Sequence, residues 1–293
     1  LSNAIKFTKN KIAVVYAVGS ITGGEGNDAV IGSEKISKAI REARIDSTVK
    51  AIVLRVNSPG GDALASEVIW REVVLAKNTK PVVVSMGDYA DSGGYFLTGG
   101  DTKIVASPST ITGSIGVFGM IPNMQKLFNN KLGITFDTVM TNKNAITVSG
   151  TRPLSTYQEK GIQNQIERIY KTFITHVAEG RKMSVEAVDN IGQGRVWNGY
   201  DAKKIGLIDE FGGLDKAVEI AKTLAKVDEY KIIEYPKQKE FFQQILDELK
   251  GEEAKTKLIK SELGDNYIFY KTVQNINTMK GLQARIPYLI NIY

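Results

Sequence analysis

The first two-thirds of the chain alternates short, β-branched apolar runs with stretches whose apolar residues recur every three or four positions. The apolar runs at 11–17, 50–56 and 81–85 are bounded by Gly, Pro or Asn, which is typical of strands buried on both faces of a parallel sheet. The stretches at 34–45 and 62–77 lie between these runs and have helical spacing. Strand–helix–strand order with short connections therefore predicts an α/β fold, in which helices cover a mostly parallel sheet.

The rest of the pattern predicts further strands and one long helix. Runs at 103–107, 134–140 and 230–234, and a shorter one at 206–209, are the additional strand candidates. After Ser155, which is suited to cap a first helical turn, apolar residues fall on one face of a long helix. That face consists of Ile162, Ile166, Ile169, Phe173 and Val177.

The pattern also divides the chain into three parts. Residues 1–10 contain Ser-Asn-Ala, which is typical of the remnant of a removed purification tag, so we interpret them as a remnant and a linker. Residues 11–235 are predicted to form one α/β domain. Residues 236–293 are charged and helical in pattern and then poorly patterned, so we expect a helical extension that packs against another subunit.

Composition excludes several classes of function. The chain has 293 residues, of which 42% are hydrophobic and 24% charged, which excludes a disordered or collagen-like protein. No stretch approaches the roughly 18 apolar residues of a transmembrane helix, so we expect no membrane anchor in this chain. There is no cysteine and one histidine, which excludes thiolate sites and multi-histidine zinc sites. A net charge of +6 is too modest to indicate nucleic-acid binding.

One serine stands where a buried strand is followed by a helix. Ser92-Gly93-Gly94 comes after the strand predicted at 81–85 and opens an apolar segment at 95–97. A helix amino terminus offers unpaired N–H groups and a partial positive charge, both of which favour a nucleophile whose reaction generates an oxyanion. The alternative is an ordinary helix cap with two turn glycines, and this segment taken alone favours that alternative.

A second strand-to-helix corner, at 57–62, strengthens the catalytic interpretation. In a parallel sheet such corners lie side by side at the carboxyl ends of the strands, where ligands bind. The N–H groups of Gly60 and Gly61 would then lie beside Ser92 as an oxyanion hole, in which one donor typically lowers the barrier by about 3 kcal/mol. Phosphate binding is the weaker alternative, because no Walker lysine or G-x-G-x-x-G motif follows.

The segment 111–119 contains too many glycines for an ordinary strand. Glycine in a strand often marks a place where another backbone comes close, so the segment predicts pairing with an extended peptide. A loop with turn glycines is an equal alternative on this segment alone. The residues expected to bind the peptide are Thr112, Gly113, Ile115, Gly116 and Val117.

No general base can be selected from the residues themselves. His176 flanks the apolar face of the long helix, where a packed or surface histidine is more common than a base, and no neighbouring feature makes it a triad member. A desolvated, neutral lysine is the other side chain that activates a serine. Lysines are abundant in this chain, and their spacing does not single one out.

Four segments together resemble the signal peptide peptidase A family. The similarity runs from about Lys11 to about Tyr235, with the motifs in order and at compatible spacing, and is greatest to the carboxyl-terminal half of the long, duplicated form found in Gram-negative bacteria. The four segments are 49–69, 92–95, 108–116 and 194–199.

The resemblance implies a Clp-protease/crotonase-like spiral fold and a serine–lysine peptidase that degrades cleaved signal peptides at the periplasmic face of the inner membrane. It implies no metal and no cofactor, and it suggests a homo-oligomer. Ser92 matches the nucleophile, and Ser114 matches the hydroxyl that orients the base lysine. Gly60, Gly61 and Gly93 match the oxyanion hole.

The base lysine is the point at which this sequence departs from the family. Counting back from Arg152 and Ser155, the family's lysine position falls on Ala145. We therefore expect the amino-terminal half of the same protein to supply the lysine, and the isolated chain to have little or no activity. Lys143 is the less favoured alternative, because a two-residue offset in an extended loop keeps a side chain on the same face.

Two other classes of function stay open at this point. A crotonase-like acyl-CoA enzyme would share the spiral core and the oxyanion hole, would bind CoA, and would not need Ser92. A catalytically silent assembly domain could hold peptides at the glycine corners without cleaving them.

Overall fold

The computed structural model describes residues 8–27, 30–98, 102–142, 145, 148–236, 259, 262–264, 267, 270 and 282–285. In chain order the elements are β1 (Lys11–Val18), β2 (Ser20–Thr22), β3 (Gly26–Asn27), β4 (Val30–Gly32), α1 (Ser33–Ile45), β5 (Val49–Ser58), β6 (Gly60–Asp62), α2 (Ala63–Lys77), β7 (Val82–Asp91), α3 (Gly93–Phe96), β8 (Lys103–Ala106), β9 (Ile111–Gly113), β10 (Phe118–Gly119), α4 (Gln125–Leu127), a π-helical turn (Phe128–Leu132), α5 (Thr156–Arg181), α6 (Val185–Ile191), β11 (Val196–Asn198), α7 (Gly199–Lys204), β12 (Glu210–Phe211), α8 (Leu214–Ala225), β13 (Lys231–Tyr235) and β14 (Leu282–Arg285).

The larger sheet confirms the predicted α/β class with a mostly parallel sheet. Its strand order is β11-β9-β7-β5-β1-β13, with β8 also pairing with β7 and β12 pairing with β8. Strands β13, β1, β5 and β7 run parallel to their neighbours, whereas β11 is antiparallel to β9. Successive side chains of a strand point to opposite faces, so the continuous apolar runs of the central strands supply a core on each side.

The two faces of the sheet pack against different helices. Val15 and Leu54 belong to the larger core cluster, together with apolar residues of α1, α2 and α5. Val14 and Val53, one position earlier in each strand, belong to the smaller cluster, which α8 covers. This alternation explains why β1 and β5 read as almost uninterrupted apolar runs in the sequence.

The long helix was predicted correctly at its start, but two predicted strands were wrong. Ser155 caps α5 through a reciprocal capping box with Gln158. The run at 134–140 has no regular structure and is exposed, and 206–209 forms a turn before β12. A β-rich run becomes a strand only where a neighbouring edge can pair with it, and the run at 134–140 has no such edge among the described residues.

A second, smaller sheet lies next to the carboxyl ends of the central strands. Its order is β10-β14-β6-β2-β4-β3, and β14 runs antiparallel to both of its neighbours. Most of the extension predicted at 236–293 lies outside the described residues. Within the extension, the described residues 259, 262, 263, 267 and 270 are helical, as predicted, whereas 282–285 form strand β14. No helix in the described part of the chain is long and apolar enough to cross a membrane.

Candidate active site

Ser92 lies at the predicted corner, between the end of β7 and the start of α3, and it is fully buried. Its backbone has φ 48° and ψ −110°, a conformation that typically costs a non-glycine residue about 1–3 kcal/mol and that clusters at active sites. Its side chain makes no capping hydrogen bond to α3, and its hydroxyl instead donates to the Gly116 carbonyl oxygen at 3.2 Å. Ser92 therefore occupies the N-cap position of α3, but its hydroxyl does not cap the helix.

The two glycine corners pack directly against each other. Strands β5 and β7 are parallel neighbours, which places Ser58 opposite Ala90 and brings the following turns together. A Cβ on Gly60 would lie 2.8 Å from the backbone nitrogen of Gly93, and a Cβ on Gly93 would lie 3.1 Å from that of Gly61. Gly60 also has φ +92°, which disfavours any other residue. The structure thus brings together the three glycines predicted for an oxyanion hole.

Ser114 stands beside this corner on the next segment. The Ser92 backbone nitrogen donates to the Gly113 carbonyl oxygen at 2.8 Å, so Ser114 directly follows a residue that is bonded to the nucleophile. Ser114 is almost fully buried, has φ 45°, and donates its own backbone N–H to Arg195 at 2.8 Å. Ser92 and Ser114, which both have positive φ, are therefore held close together by the backbone hydrogen bond between Ser92 and Gly113.

Most of the residues predicted to bind a peptide lie inside the sheet or the core, and not at a free strand edge as expected. Thr112 and Gly113 pair with β7 on one side and β11 on the other, so neither has a free backbone edge for a substrate. Ile115 is buried in the core, and its carbonyl oxygen accepts from Gly194. Gly116 contributes the carbonyl that accepts from Ser92. Val117 packs against the larger core cluster.

Of the two side chains considered as bases, the structure describes His176 but not Lys143. Lys143 falls outside the described residues, and Ala145, at the family's lysine position, is exposed. His176 Nε2 lies 3.0 Å from a carboxylate oxygen of Glu67, and the imidazole stacks on Trp70 with 3.6 Å between ring centroids. These contacts give His176 a packing role on α5, as predicted.

Asp91 is the feature of the site that the sequence analysis missed. It immediately precedes Ser92 and is fully buried, and neither of its carboxylate oxygens has a hydrogen-bond partner among the described residues. Burial raises the pKa of Asp91 to about 7. The signal was present, since an acidic residue at the end of a buried strand is unusual. A carboxyl that titrates near neutral pH thus lies next to the candidate nucleophile.

Comparison with known proteins agrees with this geometry. The sequence model of "Peptidase family S49" matches residues 75–228. The chain is 44% identical over 245 residues to "Protease 4" of Salmonella typhi, an alignment that covers 83% of this chain and 39% of that protein. It is 39% identical over 224 residues to "Serine protease SPPA, chloroplastic" of Arabidopsis thaliana, an alignment that covers 75% of this chain and 33% of that protein.

A shorter relative is matched over more of its length. "Putative signal peptide peptidase SppA" of Enterococcus faecium is 31% identical over 232 residues, covering 77% of this chain and 67% of that protein. By contrast, the chain spans only about two-fifths of the length of Protease 4 from Salmonella typhi.

Proposed function

The chain belongs to peptidase family S49, and we propose that it is the nucleophile-bearing part of a serine peptidase that degrades cleaved signal peptides. The observation that carries the proposal is the strained, buried Ser92 packed beside Gly60, Gly61 and Gly93. A hydroxyl at such a corner, with backbone amides close by, is suited to acyl transfer.

The proposed reaction proceeds through an acyl-enzyme. Ser92 Oγ attacks a peptide carbonyl carbon, and the hydroxyl proton passes to a neutral lysine. The backbone N–H of Gly93 and the Gly60–Gly61 corner stabilise the resulting oxyanion. For Gly60 this requires its N–H to leave Ser58 Oγ, to which it donates at 3.1 Å in the described structure. The leaving amine takes a proton from the lysine, and water then hydrolyses the ester. The Gly116 carbonyl, which accepts from Ser92 in the described structure, cannot act as the base because a carbonyl oxygen does not retain the proton.

We assign the lysine to the amino-terminal part of the same protein. Ala145 occupies the family's lysine position, and the chain covers only 39% of Protease 4 from Salmonella typhi, so the longer relative has room for a second unit. In this arrangement Ser114 orients the incoming amine, because it lies beside the nucleophile and is nearly buried. The complete protein would act at the periplasmic face of the inner membrane.

An exposed apolar segment supports the proposed assembly. Residues 120–140 carry many large apolar side chains that the described residues leave exposed, and Val139 is 98% exposed. Large apolar side chains exposed together along one segment are typical of a protein interface. Its proposed occupant is the remaining part of the long protein, which would bring the lysine with it. The exposed residues are Met120, Met124, Leu127, Leu132, Ile134, Phe136, Val139 and Met140.

Reconstitution tests the proposal. The isolated chain should not hydrolyse a leucine-rich signal peptide, and addition of the amino-terminal part should produce hydrolysis and labelling of Ser92 by a fluorophosphonate. Ser92→Ala in the assembled protein should abolish both, with a loss of at least about 10⁴-fold in turnover. Labelling without hydrolysis would contradict the peptidase assignment, and hydrolysis that survives Ser92→Ala would remove Ser92 from its role.

Lys143→Ala separates the two candidate bases. If the amino-terminal part supplies the lysine, this substitution should change the turnover of the assembled protein by less than about threefold, because Lys143 would then take no part in proton transfer. An isolated chain that is active, and that loses activity on Lys143→Ala, would instead identify Lys143 as the base.

A further inference from the structure

The segment that follows β9 packs against the turn at 192–195. Ser114 donates its backbone N–H to the Arg195 carbonyl oxygen at 2.8 Å. A Cβ on Gly116 would lie 2.8 Å from the Gly194 Cα, so the two backbones are also in contact at this point. The position of the segment therefore depends on the position of the turn.

On the opposite side, the same part of the chain contacts the candidate nucleophile, because β9 lies between β11 and β7. The Gly113 carbonyl oxygen accepts from the Ser92 backbone N–H at 2.8 Å, and the Gly116 carbonyl oxygen accepts from the Ser92 hydroxyl at 3.2 Å. Ser114, which orients the incoming lysine in the proposed reaction, lies between these two contacts in the sequence. A displaced turn would therefore move Ser114 and these two acceptors together.

The turn at 192–195 contains backbone strain and is exposed. Gln193 has φ 56°, a left-handed conformation that costs free energy in a residue other than glycine, and Gly194 has φ 77°. Both residues are exposed, so burial does little to hold them in place. The Arg195 guanidinium donates to the Gly192 carbonyl oxygen at 3.1 Å, which closes the turn on itself. A contact from outside the turn is needed to fix it relative to the rest of the protein.

Tyr170 of α5 provides such a contact. Its hydroxyl accepts from the Gln193 backbone N–H at 3.0 Å and donates to Asp189 Oδ1 at 2.6 Å, so it joins α5 to the turn and to α6. A Cβ on Gly192 would lie 3.0 Å from the same hydroxyl oxygen. Burial and the hydrogen bond to Asp189 raise the pKa of Tyr170 to about 12, so the hydroxyl keeps its proton near neutral pH. The Tyr170 ring packs against the larger core cluster, which anchors the hydroxyl.

We propose that Tyr170 is a positioning residue of the active site: its hydroxyl fixes the turn at 192–195 and thereby places Ser114 and the Gly116 carbonyl oxygen beside Ser92. This inference rests on the proposed function and adds a residue that prepares the same site. Tyr170 acts through the backbone and takes no part in proton transfer. Its loss should therefore lower the rate of the chemical step and leave substrate affinity unchanged.

Kinetics of the assembled protein test the proposal. Tyr170→Phe removes the hydroxyl and keeps the packed ring, so kcat on a signal peptide should fall about tenfold while KM changes less than about twofold. Labelling of Ser92 by a fluorophosphonate should slow to a similar extent. Tyr16→Phe is the matched control, because the Tyr16 hydroxyl also donates to a carboxylate, that of Glu234, at the far edge of the sheet. The control should have wild-type kcat and KM.

Substitution of Asp189 provides a second pair of variants. Asp189→Asn keeps an acceptor for the Tyr170 hydroxyl and should keep kcat within about twofold of the wild type, whereas Asp189→Ala removes the acceptor and should lower kcat at least about threefold. A purely structural role would lower thermal stability without separating kcat from KM. Equal kcat in Tyr170→Phe and Tyr16→Phe, or a change in KM alone, would overturn the proposal.

Hydrogen–deuterium exchange of the full chain keeps this inference separate from the proposed function, because it needs no catalysis. In Tyr170→Phe and Asp189→Ala, amides at 192–195 and 114–116 should exchange at least about fivefold faster than in Tyr16→Phe. Unchanged exchange at 114–116 would contradict the positioning role even if the assembled protein is an active peptidase. Faster exchange there in a protein that hydrolyses nothing would support the link from Tyr170 to Ser114 and contradict only the peptidase assignment.

Discussion

The glycine corner around Ser92 and the apolar segment at 120–140 differ in how completely each is packed. At the corner every neighbour is in place, since the backbones of two turns and of β14 leave no room for a Cβ on Gly60 or Gly93. Along the segment, large apolar side chains are exposed to solvent and little regular structure forms. The comparison teaches that groups which must be immobile can be built from backbone alone, whereas exposed apolar side chains leave a segment free to pack against the partner we propose.

The two regions should therefore respond differently to substitution. The corner is sensitive to added volume, because displacing a donor by even about 1 Å is enough to reduce catalysis strongly. The segment is sensitive to lost apolar area, and the loss should appear only in association. Fully burying one apolar side chain is typically worth about 1.5–3 kcal/mol.

The largest expected effect is that of Gly60→Ala in the assembled, active protein. The added Cβ would lie 2.8 Å from the Gly93 nitrogen and would require alanine at φ +92°, so both proposed donors would move. We expect turnover to fall by about 10⁴-fold, or ~5 kcal/mol, measured as kcat on a signal peptide. Gly161→Ala is the matched control, because Gly161 lies in α5 with nothing within 4 Å of an added Cβ. Loss of activity in both variants would contradict a special role for the corner.

The next effect concerns Asp91, a buried carboxyl at the corner that has no hydrogen-bond partner among the described residues. Burial raises the pKa of Asp91 from its ordinary value of 3.8 to about 7, so the folded state binds a proton that the unfolded state releases. Stability from this proton is fully present below pH 4 and is lost as the pH rises through about 7. The wild-type chain should lose about 4 kcal/mol of unfolding free energy between pH 4 and pH 8 relative to Asp91→Asn.

Denaturant unfolding of both proteins at several pH values measures this difference. If the unfolding free energy of the wild type changed with pH as that of Asp91→Asn does, the Asp91 carboxyl would have a hydrogen-bond partner in solution.

The smallest effect on stability is expected for Val139→Ser. The same substitution should weaken association with the amino-terminal part. Because this side chain is 98% exposed, its removal should change the unfolding free energy by less than about 0.5 kcal/mol. Association with the amino-terminal part should weaken about tenfold, measured by titration calorimetry. Ile45→Ser, at the 68%-exposed end of α1, is the matched control and should associate normally. Equal affinity of both variants for the amino-terminal part would show that the segment does not belong to the interface.

The sequence predicted the central sheet and the main features of the site because both depend on local patterns. Strands β1, β5 and β7 are continuous apolar runs, and the turns that follow β5 and β7 are marked by glycines at the right places. Parallel pairing then brings those turns together without further information. The run at 134–140 was misread because β-branched residues favour a strand only when a partner edge is available.

What the sequence by itself determined is the set of segments and corners, since the period of apolar residues and the freedom of glycine are properties of neighbouring positions. Only the tertiary structure decided which edges are paired and which groups lose water. It enclosed Asp91 with no hydrogen-bond partner in the described part of the chain, closed both edges of β9, and placed Ala284 against glycines from two distant turns. Burial and strand pairing depend on residues far apart in the chain, so no local pattern could have specified them.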